Sequence, residues 1–128
     1  MVEYTKYDVN GQIIGLGSCP ADMVSLQSHY VWIGHADPLT EMFVNGEKQP
    51  RPIMKAAPNK TQVLANGTDQ VIIAGVPKGA RIFMQGPIVR QLVGDGTDLV
   101  MTFALAGDYT LKMFSFPYQD KTVVIHAN

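Results

Sequence analysis

Histidine, cysteine and aspartate are the residues of this chain best placed, by type, to do chemistry. His29, His35 and His126 could serve as metal ligands, but their spacing fits no zinc pattern and no cysteine pair completes one. They read as loop or edge histidines. Cys19, the single cysteine, would need a neighbouring base and a lowered thiol pKa to act as a nucleophile. Nothing in the sequence sets a histidine beside it, so it reads as a small buried hydrophobe. Of Asp22, Asp37, Asp95, Asp98, Asp108 and Asp120, three (Asp37, Asp95 and Asp108) abut Gly or Pro. Carboxylates there commonly accept nearby backbone N–H groups and hold turns. Gly94-Asp-Gly96 and Gly15-Leu-Gly17 lead into no helix carrying Lys-Ser/Thr, so neither is a phosphate loop. These residue types imply no catalytic residue, no metal and no cofactor, and the chain is expected not to be an enzyme.

Rigid aromatics offer a different chemistry. Trp32 sits in Tyr30-Val-Trp32-Ile33, while Phe114, Phe116 and Tyr118 alternate into a turn at Pro117. Such side chains can anchor a partner protein or stack on a sugar, and they can equally fill a core and its corner. Trp32, Phe116 and Tyr118 are therefore the candidate partner-binding residues. The seven methionines read as gap-filling core.

The elements that must position these side chains are short strands. Asn10-Gly11, Asn45-Gly46 and Asn66-Gly67 each lie between β-favouring runs, as type I′ hairpin turns do. Val76-Pro77-Lys78-Gly79-Ala80 reads as a type II turn with Pro77 at its first central position. Strands are expected over 4–9, 12–17, 30–34, 41–45, 62–65, 70–74, 81–85, 89–93, 99–105, 109–115 and 122–126. The one helix candidate, 20–28, begins at Pro20 and carries Asp22 near its start. Many short strands at such spacing indicate a sandwich or barrel, an all-β fold of short antiparallel strands.

At 128 residues the chain suits one domain or two small lobes. Prolines at 50, 52 and 58 mark a crossing segment between a hairpin lobe, 1–55, and a β-sandwich, 56–128. A lobe of roughly 50 residues is marginal alone and is expected to lean on its neighbour or on another subunit. Charged residues are 16% against a usual value of about 25%, which suits either a chain with much buried surface or one whose surface meets another protein. A net charge of −1 argues against nucleic-acid binding. No apolar run approaches the roughly 20 residues of a membrane span, and no basic-then-apolar leader is present. A soluble protein made in a cytoplasm is expected.

With these turns in hand, the N-terminal half resembles short modules of tailed-bacteriophage tail and tail-fibre proteins. The likeness lies in Gly11-Gln-Ile-Ile-Gly15, Gly34-His-Ala-Asp37-Pro38, Phe43-Val-Asn-Gly46 and Arg51-Pro-Ile-Met54. Phe43 stands where those modules commonly carry Tyr. The C-terminal half resembles small immunoglobulin-like domains of virion proteins. Here the likeness lies in Gly75-Val-Pro77-Lys-Gly79-Ala80, Gly107-Asp-Tyr109-Thr-Leu111 and Phe116-Pro-Tyr118. The resemblance implies an immunoglobulin-like or jelly-roll sandwich and a non-enzymatic virion protein, tail or tail-fibre associated. It would act in particle assembly or host attachment after synthesis in the bacterial host cytoplasm. Other virion proteins and further copies of the chain, most simply a trimer, are the expected partners, with a host-surface glycan as another. A capsid decoration or cement protein is the alternative within virions. A carbohydrate-binding accessory module is the alternative outside them.

Overall fold

The computed structural model describes residues 1–27 and 30–128. Ser28, the end of the expected helix, and His29 lie outside the described residues. The chain divides into two units, Met1–Pro52 and Ile53–Asn128, just before the expected boundary at 55/56. Among the described residues, regular structure consists of strands and a single 3₁₀ turn, so the all-β expectation holds. No helix among them is long and apolar enough to cross a membrane.

The first unit is built on β1 (Val2–Tyr7), β2 (Ile13–Cys19) and β3 (Val31–Ile33), in the order β2-β1-β3. Alternation along β1 puts Tyr4 into a small core with Cys19 and Val24. Val24 comes from the 3₁₀ turn Ala21–Leu26, which replaces the expected helix. Pro20 precedes that turn instead of starting it, and no side chain caps it. Thr5, on the other face of β1, is fully buried. Its hydroxyl donates to the Gly34 carbonyl at 2.8 Å and accepts from the Ala36 N–H at 3.0 Å.

A hairpin of β4 (Glu41–Val44) and β5 (Glu47–Pro50) completes the unit. β5 was not expected, since Glu-Lys-Gln-Pro has little strand character. As the outer member of a two-stranded ribbon it tolerates Pro50, which needs no inward N–H. The hairpin meets the rest of the unit at Gly11, whose carbonyl accepts the Phe43 N–H at 2.9 Å. Phe43 is buried, with its ring stacked on Tyr7 at 4.4 Å between centroids.

The three Asn-Gly pairs fold three ways. Only Asn45-Gly46 forms the type I′ turn, with φ of 52° and 79° and Val44 paired to Glu47. Asn10 lacks positive φ because Asp8 organises that loop. Its Oδ1 accepts the N–H groups of Asn10 and Gln12, and the Gly11 N–H bonds to the Asp8 carbonyl. The result is a type I turn followed by a left-handed glycine at φ 84°. Asn66-Gly67 is no hairpin at all: the strands on either side belong to different sheets. Asn66 Oδ1 takes the Thr68 and Asp69 N–H groups and shapes that crossing.

The second unit carries two sheets. One has the order β10-β9-β12-β13-β7, built from Arg90–Val93, Arg81–Gln85, Gly107–Phe114, Lys121–Ala127 and Gln62–Val63. The other has the order β11-β8-β6, built from Leu99–Thr102, Gln70–Ala74 and Ala57–Pro58. β6 also lay unexpected within the proline-marked segment. Val71 and Ile73 of one sheet share a core with Ile82, Leu111, Met113 and Ile125 of the other. Pairing is antiparallel except between β7 and β13, which run parallel. Asn59 holds the switch from β6 to β7, bonding Ile72 through both its backbone N–H and its Oδ1. The turn before β9 is closed by the Ala80 N–H on the Pro77 carbonyl, so Lys78 and Gly79 are its central residues. Pro77 is thus the turn's first residue and not its first central one. Fully buried Tyr109 donates its hydroxyl to the Leu105 carbonyl at 2.7 Å, four residues upstream.

Gly11 and Gly46 separate two costs. A Cβ at Gly46 would meet only the Tyr7 hydroxyl at 3.8 Å, leaving the φ penalty of about 1–2 kcal/mol. A Cβ at Gly11 would also fall 1.8 Å from the Phe43 carbonyl oxygen, so backbone must move. Gly11→Ala is expected to lose at least about 3 kcal/mol, clearly more than Gly46→Ala. Urea unfolding followed by Trp32 fluorescence reads this unit alone, because the chain has one tryptophan. Equal losses would contradict the docking of the hairpin on Gly11.

Candidate functional site

The candidate aromatics are placed apart in the chain's organisation. Trp32 is half-buried on β3 in the first unit, tilted against Phe43 at 5.6 Å, with the Lys48 ammonium 5.0 Å from its ring centroid. Lys48 is held there by Glu41 at 3.3 Å. The Trp32 ring thus packs against the neighbouring β4–β5 hairpin. Phe116 and Tyr118 belong to the second unit. They share one turn, which the Tyr118 N–H closes on the Ser115 carbonyl at 2.8 Å across a cis Phe116-Pro117 bond. Both are half-buried, and Tyr118 packs against the sandwich core.

Several titratable residues serve the backbone or each other. His35 donates from Nε2 to the Gly17 carbonyl at 3.0 Å and faces Glu3 at 3.6 Å. His126 donates from Nδ1 to Asp108 at 2.6 Å across β12 and β13. Asp108 thereby departs from the turn-holding role expected of it. Asp37 and Asp95 do hold turns, through the N–H groups of Leu39 and Thr97. The Thr97 hydroxyl and then its N–H hold the Asp95 carboxyl below the usual carboxylate range. The Leu64 N–H and then Lys60 do the same for Asp69. Cys19 is buried and unpaired. Among the described residues, no three His, Cys, Asp or Glu side chains converge on a point.

Among the described residues, each unit holds a concavity. The larger, about 460 Å³, opens in the sandwich where β10 and β11 end their sheets. Met84, Ile88, Leu92, Leu99, Met101 and Phe103 line it, with Arg90 among them. Arg90 pairs with Met84 in register, so its side chain shares the inward face of the sheet. It has no ion partner among the described residues. A charge turned inward on an end strand is a device that disfavours edge-to-edge pairing.

The smaller concavity is a cup of about 270 Å³ in the first unit, formed by Tyr7, Asp8, Val9, Gly11, Tyr30, Phe43, Asn45 and Gly46. Tyr7 and Tyr30 lie 5.5 Å apart at 44°. The type I′ turn supplies Asn45 and Gly46, and the Asp8 loop supplies Asp8 and Gly11. Sequence reasoning chose aromatics by type and missed this group, whose members come from three separate stretches of the chain. The available signal was an aromatic just upstream of each of the first two Asn-Gly pairs, Tyr7 and Phe43. Compared with protein-family models, curated proteins and solved structures, the chain matches none.

The inward charge at the open end of the sandwich yields a direct test. Arg90→Val should leave the unit folded but leave only apolar side chains on the inward face of β10. Light scattering should then show association that grows with concentration beyond that of the parent. Identical behaviour of parent and variant would remove the protective role assigned to Arg90.

Proposed function

We propose that this chain is a non-enzymatic structural protein of a tailed-bacteriophage virion, tail or tail-fibre associated, acting in particle assembly or host attachment. The observation that carries this reading is the character of its strand edges. β2, β10 and β11 each end a sheet, and each exposes an apolar side chain: Leu16, Val93 and Val100. Open edges with exposed apolar residues suit a chain that completes itself against other copies or other virion proteins. β2 also carries a bulge at Ile14, which blunts unregulated pairing while leaving Leu16 outward.

The second unit supports an immunoglobulin-like sandwich over a jelly roll. A three-stranded sheet faces a five-stranded one, the chain's first strand of the sandwich is split between them, and Tyr109 bonds back to Leu105. That bond has the form of the tyrosine corner of such sandwiches. The resemblance of the loop motifs supplies the step to a virion. Several of those motifs do structural work: Gly34-His-Ala-Asp37-Pro38 closes over Thr5, and Arg51 donates to the Pro38 carbonyl at 2.8 Å. The cup of the first unit favours attachment through a carbohydrate as the specific form of this role.

In solution the purified chain should form a discrete closed oligomer, a trimer in the simplest case, with a molar mass constant over a wide concentration range. Multi-angle light scattering checks this. A strict monomer at high concentration would contradict the assembly reading.

A further inference from the structure

We propose that the cup at the Asn45-Gly46 turn is a carbohydrate-binding subsite that takes one neutral pyranose ring. The inference deepens the attachment reading and rests on it for the source of the sugar. Its basis is the set of polar groups left over in the cup. Most polar groups around it are already engaged: Asp8 Oδ1 by Asn10 and Gln12, the Gly11 N–H by Asp8, and the Gly11 carbonyl by Phe43. The Tyr7 hydroxyl, the Asn45 carboxamide and the Gly46 N–H have no hydrogen-bond partner among the described residues. Asp8 Oδ2 is likewise uncommitted. Together they offer donors and acceptors around a space of about 270 Å³.

The walls select the ligand's shape. Tyr30 is 42% exposed and its ring forms one side, tilted against Tyr7. Phe43 stacks on Tyr7 and holds that ring in place. A sugar presents an apolar C–H face to such rings and hydroxyls to the rim, which matches an aromatic wall beside a polar turn.

Charge and desolvation exclude the main competitors. Among the described residues Asp8 is the only charged member of the lining, so phosphates and carboxylates meet repulsion and no cation from them. A wholly apolar ligand would strip water from the Tyr7, Asn45 and Gly46 groups and return no hydrogen bond. A lone carboxylate is a poor site for a divalent cation, which wants six or more oxygens. A neutral polyol with one apolar face answers every feature of the cup.

The test is a ¹H–¹⁵N NMR titration of the intact chain with the methyl pyranosides of glucose, galactose, mannose and N-acetylglucosamine, with cyclohexanol as control. At least one pyranoside should give saturable shifts at Tyr7, Asn45 and Gly46 with millimolar affinity, and cyclohexanol none. Two variants keep the fold. Asn45→Gly retains a turn able to adopt positive φ and removes the carboxamide. Tyr7→Phe keeps the stack on Phe43 and removes the hydroxyl. Each should weaken binding about five- to tenfold, the loss of one hydrogen bond to the ligand. Absence of saturable shifts with all four pyranosides overturns the proposal, and so does binding that both variants leave unchanged. A chain that oligomerises but ignores sugars keeps its assembly role without this subsite. A monomer that binds sugar has the subsite and loses the assembly reading.

Discussion

The first unit depends on the meeting of two backbones at Gly11. The β4–β5 hairpin has only a two-stranded ladder of its own, and an isolated ribbon of that kind is marginal in water. It is anchored where the Gly11 carbonyl takes the Phe43 N–H and the Phe43 carbonyl lies where a Cβ would project. One such hydrogen bond contributes about 1 kcal/mol, while burying a phenylalanine contributes about 3–5 kcal/mol by the cost of its removal. The packing of Phe43 on Tyr7 and Trp32 therefore dominates the energy, and Gly11 decides where that packing can occur. The cup follows from the same meeting. Gly11 and Phe43 line it, together with the Tyr7 ring that Phe43 stacks on and the turn that the hairpin carries.

In the second unit the governing problem is what to do with backbone at the ends of two sheets. Where the chain crosses between sheets, side chains substitute for ladder partners. Asn59 pairs with Ile72, Asn66 gathers the N–H groups of its loop, and Asp69 holds the Leu64 N–H with Lys60 beside it. Among the described residues, every buried side-chain nitrogen or oxygen has a partner. β10 and β11 end their sheets, and on β10 Arg90 takes the inward face. An edge that is too inviting aggregates, whereas one too well covered cannot join a neighbour. Exposed Val93 and inward-facing Arg90 lie on opposite faces of β10.

How much of this was legible in the sequence varies with the range of the interaction. Strands such as 70–74 and 81–85 were read to the residue because alternation and flanking turns agree locally. The three Asn-Gly pairs look alike in sequence and diverge in space. Asp8 captures the first loop, and a change of sheet separates the strands around the third; neither competitor is visible in the dipeptide. β5 escaped because Glu47–Pro50 has polar residues and a proline, which an outer strand accepts and a central one does not. The helix expected from Pro20 shrank to a 3₁₀ turn that buries a single residue, Val24. Trp32, Phe116 and Tyr118 were chosen for their ring chemistry, yet the cup draws on Tyr7, Tyr30 and Asn45. Only tertiary pairing brings those three together.

The account has this protein as a stoichiometric part of a particle, and a count of copies in that particle tests it most directly. Particles released from the producing bacterium would be banded by density, and their proteins counted by quantitative mass spectrometry against the major capsid and tail proteins. The account predicts that this chain bands with the particles in a fixed multiple of the tail's symmetry. A chain found only in the soluble fraction, or at trace levels unrelated to the tail proteins, would contradict it.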